Sequence, residues 1–268
     1  DLAMMIDVSG SMSGARITAL RDAAERAVDI LITEETEDRV RIGLAPYSWS
    51  VNAGDFAPVA LGNEDDDDDD DDDDDGDDDD ENTCVTEREG LFAKTGREPG
   101  LGAYVGDETD QCPTSAVLPI TSDPDRIKSE IAALTTQGAT AGHLGIEWSW
   151  YLISPDWASV WPSESAPAAY DAPDTRKAVI LMTDGEFNRR YDNSQGSSDD
   201  QARTACQNMR DQGIRIYAVA FQAPAAGQEI LQDCAASPLR FFSADNAAEL
   251  EAAYAEIATT LNELRLTE

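Results

Sequence analysis

The sequence has one histidine, His143, four cysteines, and only 19 lysines and arginines against 55 aspartates and glutamates. Each scarcity excludes something. Cys84, Cys112, Cys206 and Cys234 form no C-x-x-C pair, and with a single histidine beside them they offer too few ligands for a zinc site. The shortage of basic residues leaves a net charge of −36, which repels phosphate backbones and anionic headgroups and argues against nucleic acid or a membrane surface as partner. No apolar run reaches the roughly 20 residues of a membrane helix, and the start lacks the basic-then-apolar order of a signal peptide. Neither G-x-x-x-x-G-K-[ST] nor G-x-G-x-x-G occurs, so the glycines near Ser11 do not read as a nucleotide loop.

What is abundant is aspartate. Between Glu64 and Glu81 the chain carries 17 of its 55 acidic residues. A tract of this kind buries no apolar surface and repels itself, so it is expected to be a disordered, solvated spacer. The stretch Asp71 to Asn82 imitates a calcium loop, with Gly76 at the sixth position, but Asn82 stands where a bidentate glutamate is needed.

Elsewhere apolar runs alternate with helical periodicity, the pattern of a doubly wound, mostly parallel α/β sheet covered on both faces. Strands are expected at Leu2 to Val8, Val40 to Tyr47, Lys177 to Thr183, Ile214 to Phe221 and Arg240 to Ser243. Helices are expected from Arg16 to Thr36, from Asp123-Pro124 through Leu134, after Thr140, from Gln201 to Gln212, around Gln228 to Asp233, and after Asn246, which forms a capping box with Glu249. From Ser48 to Thr121 the periodicity fails, which points to an insertion at about 49–119 with one edge strand, inside a single domain spanning 1–268. Trp148, Trp150, Trp157 and Trp161 read as core and loop anchors, and His143 as a helix-surface residue or one behind the site. Because Asp1 stands directly against a strand-like run, the chain is expected to be a fragment or a processed product.

The even cysteine count and their loop-flanked positions favour two disulfides and an oxidising compartment. Three pairings are possible; Cys84 with Cys112 and Cys206 with Cys234 are preferred, because the first closes the acidic insertion and the second ties a helix to the turn before the last strand. The alternative is four buried thiols.

The residues that carry chemistry are Asp7-Val8-Ser9-Gly10-Ser11, where the first strand ends. Ligands of parallel sheets sit outside these strand ends. Two hydroxyls and a carboxylate are hard oxygen donors suited to Mg²⁺ or Mn²⁺, which take about six oxygens. Thr140, ahead of a helix, and Asp184, in Thr183-Asp184-Gly185 at the end of the most apolar strand, can supply more. Serine and aspartate also favour helix starts, so a plain cap is the bland alternative. A phosphoryl-transfer reading of Asp7 fails because Ser9 stands where a second aspartate belongs.

Taken in order, Asp7-x-Ser9-x-Ser11, Thr140 and Thr183-Asp184-Gly185 resemble the metal-ion-dependent adhesion site of von Willebrand factor A domains. The stretches WSWYLISP (148–155), KAVILMTDGEFN (177–188), IYAVAFQ (216–222), Cys234 to Pro238 and LRLT (264–267) are similar to the A-domain part of TadG-like Flp/Tad pilus-assembly proteins. The likeness covers most of the chain except Trp49 to Pro119, and the aspartate tract departs from it.

The resemblance implies a Rossmann-like fold and a non-catalytic binding module. In it Mg²⁺ (or Mn²⁺ or Ca²⁺) is held by Ser9 and Ser11, by Thr140 directly or through water, and by Asp7 and Asp184 mostly through waters. It further implies a protein partner that presents an Asp or Glu carboxylate to the metal, possible contact with other pilus-assembly proteins, and a periplasmic or envelope location with membrane attachment through a segment outside this chain. The competing reading from another class is a secreted calcium-binding structural protein acting through its aspartate tract.

Overall fold

A computed structural model describes residues 1–63 and 82–266. The poly-Asp tract, with the disorder and calcium binding expected of it, lies outside these residues.

The chain opens on β1 (Leu2–Asp7), in which every residue is buried. A tight turn leads into α1 (Ala15–Leu31). There follow β2 (Ile42–Tyr47), β3 (Val51–Asn52), α2 (Ala57–Leu61), β4 (Cys84–Val85) and β5 (Leu118–Thr121). The second half contains α3 (Pro124–Ala133), α4 (Gly142–Tyr151), β6 (Ala178–Thr183), α5 (Ser198–Asp211), β7 (Arg215–Phe221), α6 (Ala225–Ala235), β8 (Phe241–Ala244) and α7 (Ala247–Leu266).

One sheet runs in the order β4-β3-β2-β1-β6-β7-β8, with β5 also paired to β2. The pairs joining β2, β1, β6, β7 and β8 are parallel, and those involving β3, β4 and β5 are antiparallel. The connections from β1 go to β2 on one side and, later, to β6 on the other. The carboxyl end of β1 is therefore the topological switch point, the position at which ligands of such sheets generally bind.

Alternation along each strand divides the core in two. Ala3 and Met5 of β1 face α4, α5 and α6, whereas Leu2, Met4 and Ile6 face α1, α3 and α7. Both layers are apolar, which accounts for strands that read as continuous hydrophobic runs. Local signals set the helix starts. Asp123 accepts hydrogen bonds from the amides of Asp125 and Arg126, with Pro124 in the first turn. At α7, Asn246 caps the Glu249 amide, while the Glu249 carboxylate reaches the Asp245 amide, one residue earlier than a capping box requires.

The structure corrects three expectations. The aperiodic segment supplies more than one edge strand: β3 and β4 extend the sheet beyond β2, and β5 joins β2. The first helix ends at Leu31, and the Thr36 hydroxyl folds back to donate to the Leu31 carbonyl. His143 is fully buried instead of lying on a helix surface. Its Nε2 meets Glu87 Oε1 at 2.8 Å and its Nδ1 meets Ser198 Oγ at 2.7 Å. Beside it, the buried Lys94 ammonium donates to Gln195 Oε1 at 2.7 Å, and the Arg88 guanidinium lies 5.1 Å from the Tyr151 ring centre. These polar contacts clamp the segment onto α4 and the start of α5, where a buried charge needs partners. Both preferred disulfides are formed, Cys84–Cys112 and Cys206–Cys234. The four tryptophans anchor the core as expected.

Candidate metal-binding site

The carboxyl end of β1 collects the five residues singled out in the sequence. Asp7 is wholly buried; its Oδ1 accepts from the Ser9 amide at 2.9 Å, which bends the chain back immediately after the strand. Its Oδ2 accepts from Thr183 Oγ1 at 2.7 Å and from Tyr47 OH at 3.1 Å, so β2 and β6 both hold it. Ser9 Oγ and Ser11 Oγ stand 3.0 Å apart, and Ser11 Oγ donates to Asp184 Oδ1 at 2.6 Å. Four of the five residues thus form one continuous hydrogen-bonded set.

Thr140 makes no hydrogen bond to this set; the loop that carries it is held nearby. The Gly10 amide donates to the Gly138 carbonyl at 2.9 Å, which pins the loop before α4 against the Ser9–Ser11 turn. A side-chain carbon placed on Gly185 would lie 3.7 Å from Thr140 Oγ1. Thr140 itself is fixed by Asn188, whose side chain accepts from the Thr140 amide at 3.1 Å and whose own amide donates to the Thr140 carbonyl at 2.9 Å.

Two acidic side chains meet at this point. Burial, then the negative charge of Asp184, push the Asp7 carboxyl above its ordinary range, against the hydrogen bonds from Ser9 and Thr183 that favour the ionised form. Burial and the neighbouring Asp7 charge push the Tyr47 hydroxyl well up, so it remains a donor. Arg16 is the basic group that answers this charge, its Nη1 lying 2.5 Å from Asp184 Oδ2.

The donor set is two carboxylates and hydroxyls, all hard oxygen, partly buried at one point. That chemistry fits Mg²⁺ or Mn²⁺ and offers nothing to a soft metal. Among the described residues no cluster of three or more His, Cys, Asp and Glu side chains is suited to a metal. Sequence reasoning did not find Arg16, Tyr47 or Asn188. Arg16 carried a usable signal, since it follows the Ser9–Ser11 turn by about one helical turn.

The comparisons agree with this architecture. A family model for the von Willebrand factor type A domain matches residues 164–256, a span that includes Asp184 but not Asp7, Ser9, Ser11 or Thr140. Among solved structures, the von Willebrand factor domain of a type V pilus tip protein from Porphyromonas gingivalis superposes with a TM-score of 0.58 at 14% identity, covering 98% of this chain and 95% of that one. The pilus adhesin SpaC of Lactobacillus rhamnosus GG gives 0.57 at 14% identity over 97% of this chain and 30% of that chain. A von Willebrand factor type A protein from Catenulispora acidiphila gives 0.51 at 16% identity, over 96% and 41% respectively. This chain therefore spans under half the length of the last two. No curated protein matches the sequence. The fold is that of the von Willebrand factor type A domain, with a mostly parallel central sheet flanked by helices.

Proposed function

We propose that this chain is a non-catalytic, divalent-metal-dependent protein-binding and adhesion module. The observation that carries the reading is the convergence of Ser9, Ser11 and Asp184, with Ser11 Oγ 3.0 Å from Ser9 Oγ and 2.6 Å from Asp184 Oδ1, from two loops at the sheet's switch point. Ser9 and Ser11 would hold the ion directly, Thr140 directly or through water, and Asp7 and Asp184 mostly through waters while supplying negative charge. Bound there, Mg²⁺ or Mn²⁺ supplies an electrophilic position for an Asp or Glu carboxylate of a protein partner.

The residues around the site prepare it. Thr183 and Tyr47 hold Asp7 in one orientation, and Asn188 holds the Thr140 backbone. Such support keeps the donors preorganised.

Two disulfides favour an extracytoplasmic setting. The pilus tip protein and pilus adhesin that share the fold support placement at a bacterial surface or envelope, and the TadG-like sequence stretches support a role in Flp/Tad-type pilus assembly. Among the described residues no helix is long and apolar enough to cross a membrane. Calorimetric titration with Mn²⁺ tests the reading: a single binding event lost in Ser9→Ala supports it, and no event in the folded wild type overturns it.

A further inference from the structure

Arg16 is the only basic side chain drawn into the hydrogen-bonded set around Asp7, Ser9, Ser11 and Asp184 among the described residues. It stands in the first turn of α1. Its Nη1 donates to Asp184 Oδ2 at 2.5 Å and to the Ser11 carbonyl at 3.3 Å, and its Nε donates to Gln222 Oε1 at 2.9 Å. The Asp184 side chain is fully buried, whereas that of Arg16 is 35% exposed. Both Asp184 oxygens are therefore taken, one by Ser11 and the other by a guanidinium with room to move.

The guanidinium is also aimed. Gln222, at the end of β7, sits in the left-handed region with φ 53°; its amide donates to the Ala244 carbonyl and its side-chain nitrogen to the Asp245 carbonyl at 3.0 Å. That leaves its side-chain oxygen facing Arg16. Three elements, α1, β7 and the turn after β8, thus cooperate to hold one positive charge against the carboxylate that would stand behind the metal.

A divalent ion among Ser9, Ser11 and Asp184 and a guanidinium on the same carboxylate are like charges competing for one counter-charge, and at separations of a few ångströms in a partly buried site that repulsion is not screened away. We propose that Arg16 is a built-in counter-cation of Asp184 that sets the metal affinity of this site, neutralising it when metal is scarce and giving up Asp184 as the metal binds. This rests on the metal-binding reading above. The switch is a side-chain swing on a partly exposed arginine. In this way the module responds to metal concentration over a higher range than its donor set alone would give.

The test is calorimetric titration with Mn²⁺ on wild type, Arg16→Gln and Ser9→Ala, with thermal unfolding of each in chelator and in Mn²⁺. Arg16→Gln is expected to bind Mn²⁺ roughly three- to tenfold more tightly than wild type, the size of effect suited to a partly exposed pair with one buried partner. It should also unfold at lower temperature in chelator, with Mn²⁺ restoring most of the difference. An arginine serving structure alone would lower stability without tightening binding. If Ser9→Ala abolishes a wild-type event while Arg16→Gln binds equally or more weakly, the counter-cation role is overturned and the metal site stands. If neither wild type nor Arg16→Gln binds Mn²⁺, the metal site falls and this role with it. Should Arg16→Gln not fold, Gln222→Asn, which tolerates the left-handed backbone but is too short to hold the guanidinium, is expected to tighten binding to a smaller degree; unchanged affinity there overturns the proposal.

Discussion

Thr183 Oγ1 donates to Asp7 Oδ2 at 2.7 Å, joining residues 176 positions apart in the chain. The bond ties the ends of two neighbouring parallel strands and supplies one of two side-chain donors to the same carboxylate oxygen, Tyr47 being the other. Thr183→Val keeps the shape and removes the donor. Because Asp7 is fully buried, the substitution is expected to cost about 1–3 kcal/mol in chelator, read as a lower urea midpoint. An unchanged midpoint would show that Tyr47 suffices alone.

Gly138 has φ 87°, and a side-chain carbon there would run into the Trp49 ring. Its carbonyl accepts the Gly10 amide, so the glycine positions the loop that carries Thr140. Gly138→Ala is therefore expected to destabilise the protein by about 1–3 kcal/mol, through backbone strain and overpacking together. It should also weaken Mn²⁺ binding. Calorimetry and thermal unfolding on the same sample separate these effects, and full retention of both would contradict the assigned geometry.

The two disulfides differ in exposure. Cys206 and Cys234 are completely buried between α5 and α6, whereas Cys112 is only half-buried. Attack by a thiolate requires access to sulfur, so mild reductant should open Cys84–Cys112 first, which alkylation and mass mapping would reveal. Replacing Cys206 and Cys234 together by alanine removes a link across a sequence separation of 28 and should cost about 3–4 kcal/mol in a chain-entropy account. A loss under 1 kcal/mol would contradict that account.

Glu87 gives a pH signature. Burial raises its carboxyl, but hydrogen bonding and charge from His143, with the Tyr191 amide, outweigh this and hold it below its ordinary value of 4.5. A carboxyl depressed in the folded state contributes stability that is fully present above its unfolded value and lost as pH falls through the folded one. Wild type should therefore lose more stability than Glu87→Gln between pH 7 and the region below 4.5. Parallel losses measured by urea unfolding would remove Glu87 from the account.

Much of this was legible in the residues. The expected strands lie within about two residues of the observed ones, because a strand buried on both faces must be apolar throughout and Leu2–Asp7 and Ala178–Thr183 announce themselves that way. The segment before β5 was not legible, because β3 and β4 are two residues each and carry no period. Their pairing is decided by partners in the sheet, not by pattern. His143 misled for a related reason: its neighbours Glu87 and Ser198 lie 56 and 55 residues away, and nothing local distinguishes a buried histidine from an exposed one.

By itself the sequence determined the order of strands and helices outside the segment 48–121, the placement of Asp7, Ser9 and Ser11 at a strand end, and the oxygen-only character of the donors, since these follow from hydrophobic period, turn residues and side-chain chemistry. Tertiary structure alone decided that the Ser11 hydroxyl donates to Asp184, 173 residues away, and that Arg16 reaches the same carboxylate. The physical reason is that distances between loops are set by how parallel strands align in the sheet, and that alignment is a property of the packed core as a whole.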